Sequence, residues 1–549
     1  MQSKAKSRVA LDPASAPKTE AASPKPLSNR RLYASAVFLV LCVSFLIRVG
    51  GIPHHEPIIL HVDEHAFVGR AIRIVTTGDF NPHWFGHPGS LTIYCLAALY
   101  ALTGFFGGID AKELAERYAF DPTPFHVLGK YFVALSSMCT QWGLLLLARQ
   151  FLGRWQALLA VALLACSQLD IELSTTIRTD TQQSLLLVLL TLALLRAVQS
   201  GKHGWFVTSG VLLGLATAVK WPSAVACLSI VLSAVLANHK PGQPPAWRRA
   251  GVQVGLAAAA SVIGLFAVAP YVLLDFATVL KDVSTESRSY HMSATSRGVL
   301  PALAYYVGHL GGIAGKAALV LAAVGAIMSL RGEQRRLHIV PLSMFVSYLL
   351  FLCTLNLNWP RWTVPLLPYP CLYVVIGLVN VAQKVQKHVR WPWASGAIVG
   401  ACSVVLILVS GAHVKAMLFK RAHDDVYDAT QWVVRHVPRG SKLLVEDGAP
   451  YLPQEMFEFY EARGNGRIKH VVHSTKYHAP RGKLMELRDM KAAVRSVDYV
   501  ILGNVYKRLQ EERSRYRRQI AEYDWVKRHT QLAQRFGLIE VRRVKNRDQ

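Results

Sequence analysis

Acidic residues are scarce in this chain: 34 Asp and Glu stand against 61 Lys and Arg in 549 residues, and charged residues of both signs make up only 17%. So little charge beside 52% hydrophobic residues excludes an ordinary soluble multidomain protein. The eight cysteines (Cys42, Cys95, Cys139, Cys166, Cys227, Cys353, Cys371 and Cys402) all fall inside hydrophobic stretches, where a thiol behaves as a small apolar side chain. Their spacing offers neither a disulfide framework nor a metal knuckle. Also missing is the interleaving of aromatic and basic residues that makes a base-stacking surface. The net charge of +27 therefore reads as basic loops beside anionic lipid headgroups, and no nucleic-acid partner is expected. No small-residue cleavage site follows the first apolar segment, so that segment is expected to be an uncleaved span behind a cytoplasmic, disordered tail over residues 1–31.

What the chain has in abundance is long apolar runs, near residues 32–52, 89–107, 126–148, 155–170, 182–199, 204–219, 221–238, 251–273, 313–330, 338–356, 363–383 and 393–413. These define a polytopic α-helical membrane protein of about 11 to 13 spans, an odd number being favoured. Basic, acid-poor connections at 149–154, around Lys202, and at 239–249, 331–336 and 383–390 belong in the cytoplasm by the positive-inside rule. The alternate connections, 171–181, 220–222, 274–300 and 356–361, then face outward. One conflict remains in this assignment. If the first four runs all cross, Asp180 lies on the opposite side from Asp63, so the 89–107 run or a neighbour is expected to be re-entrant, interfacial or wrongly divided.

From about Val414 the pattern changes. KLLVED, IKHVVHS and VDYVILG read as short strands, and HDDVYDATQWVVRHV and the charged run near 505–530 read as helices. Residues 414–549 are thus expected to form a small extracytoplasmic α/β domain, following a transmembrane domain over 32–413.

Within the long outer loop at 53–88, the stretch from His61 onward carries the adjacent acids Asp63 and Glu64, four histidines at 61, 65, 83 and 87, a helix-like AFVGRAIRIV segment, and turns at Asn81-Pro82 and His87-Pro88. An ordered excursion beside a membrane of this kind suits a site better than solvated loop charge does. His61, Asp63 and His65 share a face only if the segment is extended, and no zinc spacing is matched, so no metal is assigned. Asp180 reads either as an acid in a helix's first turn or as part of the same site as Asp63. Lys220, ahead of Trp221-Pro222, is either a snorkelling lysine or a phosphate ligand. Arg361 is either an interfacial anchor or a forked phosphate contact.

Taken in order, several of these motifs resemble those of GT-C glycosyltransferases that take sugar from a polyprenyl phosphate, such as protein O-mannosyltransferases and lipid A aminoarabinose transferases. The resemblance rests on Asp63-Glu64, Gly78-Asp79-Phe80, HWFGHPGSLTIY (83–94), Arg178-Thr179-Asp180, GLATAVKWPSA (214–224) and RWTVPLLPYP (361–370), and covers most of residues 30–415. It implies a GT-C-like catalytic domain with Asp63 as base, Glu64 beside it, and Asp180 facing the same cavity. Arg178, Lys220 and Arg361 are then candidates for the substrate phosphate. His87, Arg288, Tyr290, His291 and Arg297 rank as weaker substrate contacts.

The expected activity is transfer of a sugar from a polyprenyl-phosphate donor to an extracytoplasmic glycan, lipid or protein, by an inverting single displacement and without a cofactor. The setting is the plasma (inner) membrane, with site and C-terminal domain outside. An oligosaccharyltransferase is disfavoured because the C-terminal domain lacks a Trp-Trp-Asp type motif. The alternative is a carrier or flippase for lipid-linked sugars, which predicts charges within spans and broken helices in matching halves.

Overall fold

The computed structural model describes residues 27–50, 52, 62–86, 89–239, 244–287, 294–389, 391–422, 425–438, 441–445, 470–472, 487–503, 505–511 and 513–545. Most of the 1–31 tail lies outside these, as do His61, His87, Arg288, Tyr290 and His291. Among the described residues, eight helices are long and apolar enough to cross a membrane, or nine if the bent pair Pro360–Leu366 and Pro368–Gln386 (58°) is one span. Three shorter apolar helices, Arg154–Ala165, His203–Val219 and Val299–Leu310, accompany them.

The chain begins with α1 (Leu27–Gly50), α2 (Val62–Thr77), α3 (Ser90–Gly107), α4 (Ala111–Phe120) and α5 (Thr123–Ala148). Phe67, Val68, Ala71 and Ile72 of α2, Ile93, Leu96 and Tyr100 of α3, Leu114 of α4, Phe125 of α5 and Ile177 form one apolar cluster. The run forming α3 is long and apolar enough to span, and it packs in this cluster against α2, α4 and the start of α5. At its start the Gly89 amide donates to the Val219 carbonyl (3.2 Å); in its middle the Tyr100 hydroxyl donates to the Phe125 carbonyl at the head of α5 (2.9 Å). Asp63 and Asp180 line one cleft, so they lie at the same end of the bundle.

Next come α6 (Arg154–Ala165), the short α7 (Gln168–Leu173), α8 (Asp180–Ser200) and α9 (His203–Val219). The 221–238 run is a 3-10 turn, Trp221–Ala226, leading into α10 (Cys227–Asn238), because Pro222 cannot supply an amide for a regular helix. Then follow α11 (Trp247–Val268), α12 (Tyr271–Leu274), α13 (Phe276–Glu286), α14 (Val299–Leu310), α15 (Lys316–Arg331) and α16 (Arg335–Cys353). A second proline-rich 3-10 turn, Pro360–Leu366, precedes α17 (Pro368–Gln386), and α18 (Ala394–Ala422) ends the bundle. α9 and α11 pack so closely that a β-carbon at Gly210 or Gly214 would run into the carbonyl of Ala257 or Ser261. Small residues permit that approach where lipid supplies no hydrophobic drive between helices.

The C-terminal domain contains α19 (Asp425–His436), β1 (Lys442–Val445), β2 (His470–Val472), α20 (Leu487–Arg495), β3 (Tyr499–Leu502), α21 (Val505–Glu511), α22 (Arg517–His529), β4 (Thr530–Phe536) and β5 (Ile539–Val544). Its sheet runs β2-β1-β3-β5-β4, parallel through β3 and antiparallel beyond it. The three strands expected from the sequence are the parallel ones. The β4/β5 hairpin was not expected, since β4 is a largely exposed edge strand without an apolar run, turned by Gly537 at φ 51°.

Candidate active site

Five side chains from four parts of the chain meet in one cleft: Asp63 at the head of α2, Arg178 and Asp180 around the start of α8, Lys220 just past α9, and Arg361 in the second 3-10 turn, with Phe67 and Thr179 beside them. Their placement follows local rules. Asp63 and Asp180 occupy first helical turns, where the helix dipole favours negative charge. Lys220 and Arg361 sit where Trp221-Pro222 and Trp359-Pro360 interrupt regular helix.

An Arg178 Nη2 hydrogen donates to Asp63 Oδ2, and Nε of the same guanidinium is 3.8 Å from Asp180 Oδ2. Lys220 Nζ donates to Asp180 Oδ1. The Arg361 guanidinium lies 4.4 Å over the Trp359 ring. Asp63 is 32% exposed, whereas Arg178, Asp180 and Lys220 are almost wholly covered. Three cations face two carboxylates, so the cleft carries surplus positive charge at its floor and an accessible carboxylate at its mouth. That combination suits an anionic group bound beside a proton acceptor.

Arg178 and Arg361 also line a larger cavity of about 490 Å³, walled by α7 with Glu172 and Thr176, by Gly308 and His309 at the end of α14, and by Pro360. Charged cleft and cavity therefore adjoin through two guanidinium groups.

Glu64 corrects the sequence reading. It is 1% exposed and points away from the cleft: Oε1 accepts from the Ile177 amide (3.0 Å), and Oε2 is 3.2 Å from Lys130 Nζ and 3.7 Å from His126 Nδ1. Burial pushes its pKa up, but Lys130 and His126 outweigh it and hold the carboxyl below the usual range. A carboxylate so enclosed does not reach a substrate in the cleft. It pins the turn that presents Arg178.

Asp170 on α7 is buried too. Its Oδ2 lies 2.5 Å from Arg48 Nη2 and accepts from Ser137 Oγ (2.8 Å), joining α1, α5 and α7. The signal for it was Arg48, an arginine at the end of an otherwise apolar first span.

The outer loop is ordered by a further polar set. Asp79 Oδ1 accepts from the Asn81 amide (2.9 Å), and its Oδ2 pairs with Arg73 (2.7 Å) and His83 (2.9 Å); these contacts hold its carboxyl well below the usual range. Asn81 Nδ2 donates to Asp275 (2.9 Å), and the Phe85 amide to Asp282 (2.7 Å). Arg297 is exposed in a strand-like stretch where the Ser296 amide donates to the Asn356 carbonyl (2.7 Å), and it lines neither cleft nor cavity. Its assignment as a substrate contact is not met by this placement. Among the described residues no three His, Cys, Asp or Glu side chains gather as a metal site.

A bundle of apolar helices, an ordered outer loop that delivers a carboxylate to a cationic cleft, and a small trailing α/β domain define an integral membrane protein of the GT-C fold. Residues 129–273 match the dolichyl-phosphate-mannose-protein mannosyltransferase family. The whole chain is similar in fold to ArnT from Cupriavidus metallidurans bound to undecaprenyl phosphate, with a TM-score of 0.53 at 12% identity over 94% of this chain and 98% of that one. The apo state of ArnT from Cupriavidus metallidurans gives a TM-score of 0.54 at 12% identity, over 93% and 98%. No protein of curated function matches the sequence.

Proposed function

We propose that this protein is a glycosyltransferase of the inner membrane that moves a sugar from a polyprenyl-phosphate donor to an extracytoplasmic acceptor. The observation that carries the reading is the juxtaposition of partly exposed Asp63 with the buried cations Arg178, Lys220 and Arg361. The family match and the shared fold with a protein that binds undecaprenyl phosphate support it. So does the clustering of basic residues, such as Arg149, Arg154, Arg248 and Arg249, at helix ends remote from the cleft; by the positive-inside rule this supports an outward-facing cleft and C-terminal domain.

In this mechanism the acceptor hydroxyl or amine gives its proton to Asp63 as it attacks the anomeric carbon. The bond from that carbon to the phosphate oxygen breaks, and the polyprenyl phosphate leaves with the electron pair. Arg178, Arg361 and Lys220 stabilise the charge gained by the departing phosphate. A single displacement inverts the anomeric centre, because no second carboxylate is needed as nucleophile.

Incubating purified protein with labelled polyprenyl-phosphate sugars and envelope fractions tests the reading. Label moving into an extracted lipid, glycan or protein fraction with inverted configuration is the expected result. Retained configuration would discard the single displacement, and no transfer from any donor would discard the activity.

A further inference from the structure

The cavity of about 490 Å³ beside the cleft is the size of a small-ligand pocket, about 300–1,000 Å³, and its two walls differ in chemistry. Arg178 and Arg361 on the side shared with the cleft are hydrogen-bond donors only. Glu172 and His309 line the cavity but not the cleft. His309 Nδ1 lies 2.8 Å from the Tyr305 carbonyl; in the neutral ring this places the proton on Nδ1 and leaves Nε2 as an acceptor. A pocket that shares donors with the cleft and adds acceptors of its own suits a ligand that is anionic where it meets the cleft and bears hydroxyl or amino hydrogens elsewhere. A sugar phosphate is such a ligand.

We propose that this cavity receives the sugar ring of the donor, and that Glu172 and His309 determine which sugar is accepted. The inference rests on the donor reading above. With the phosphate at the guanidinium groups, the ring hydroxyls or amines meet the acceptors of α7 and α14. A site that bonds particular hydroxyls discriminates against a sugar lacking them, because those bonds are then not made. Gly308 keeps the same wall open, since a β-carbon there would meet no atom within 4 Å. A larger side chain at this position occupies the cavity without displacing the protein's own packing.

The test uses the full chain in lipid nanodiscs and measures affinity for bare undecaprenyl phosphate, undecaprenol, and undecaprenyl phosphate carrying mannose, glucose or galactose. Wild type is compared with Glu172→Gln and Gly308→Leu. Both variants are expected to bind bare undecaprenyl phosphate as wild type does, which also reports that they are folded, and to bind the preferred sugar lipid about tenfold more weakly. Glu172→Gln should in addition change the order of preference among the sugars. The proposal is overturned if no sugar lipid binds wild type more tightly than the bare phosphate. It is also overturned if both variants keep wild-type affinities, if bare and sugar-bearing lipids weaken equally, or if only the KM for acceptor rises, which would give the cavity to the acceptor. Should wild type bind undecaprenyl phosphate no better than undecaprenol, the donor reading itself fails.

Discussion

Arg178 spans the two carboxylates of the cleft, donating to Asp63 through Nη2 while its Nε lies 3.8 Å from Asp180. The residue proposed to take the acceptor's proton is thus held by a residue proposed to hold the donor's phosphate. A bound phosphate competes with Asp63 for the guanidinium, so donor binding and release of the base are coupled. Replacing Arg178 by Lys, which offers a point charge in place of a fork, is expected to raise the donor KM and to lower kcat. By analogy with loss of one charge-stabilising donor, kcat should fall by about 10²–10³. Steady-state kinetics checks both; a change in KM alone would confine Arg178 to binding.

Lys220 and Asp180 form a nearly inaccessible ion pair. Removing one partner strands the other charge in a medium of low dielectric, at a cost of about 3–5 kcal/mol. Asp180→Asn should therefore lower the thermal midpoint of the detergent-solubilised protein substantially. Asp180→Asn combined with Lys220→Met should recover much of that loss. If the single variant melts with wild type, the pair is not buried as described.

Glu64 gives a pH prediction with a definite sign. Its folded-state pKa lies below the ordinary value of 4.5, so its ionised form contributes stability that is fully present above that value. The contribution is lost as pH falls below 4.5 toward the folded pKa. The stability gap between wild type and Glu64→Gln should be constant near neutrality and shrink under acid conditions. Denaturation across pH 3–7 measures it, and a gap that widens toward low pH would contradict the assignment.

The helical bundle was legible because span length and apolar runs are local properties, and the three parallel strands stood out for the same reason. What the sequence did not reveal depends on partners far along the chain. Glu64 looked like half of an acid pair because Lys130 and His126, which enclose it, lie within an apolar run of α5. The pairing of Asp170 with Arg48 joins residues 122 apart in the chain. The α3 run met the length of a span, and its contacts with Val219 and Phe125 join residues too far apart in the chain to be read from local pattern. The meeting of Asp63, Asp180, Lys220 and Arg361 was suggested by family resemblance and not by spacing, since nothing local brings together residues so widely separated.

The most direct test of the account is sugar transfer by Asp63→Asn compared with wild type at matched expression, with binding of undecaprenyl phosphate measured in parallel. The account predicts that transfer falls by about 10²–10⁴, the usual contribution of a general base, while the variant still binds the lipid phosphate. Transfer within a few-fold of wild type would contradict Asp63 as the base, and a wild type that binds the lipid but transfers no sugar would favour a carrier.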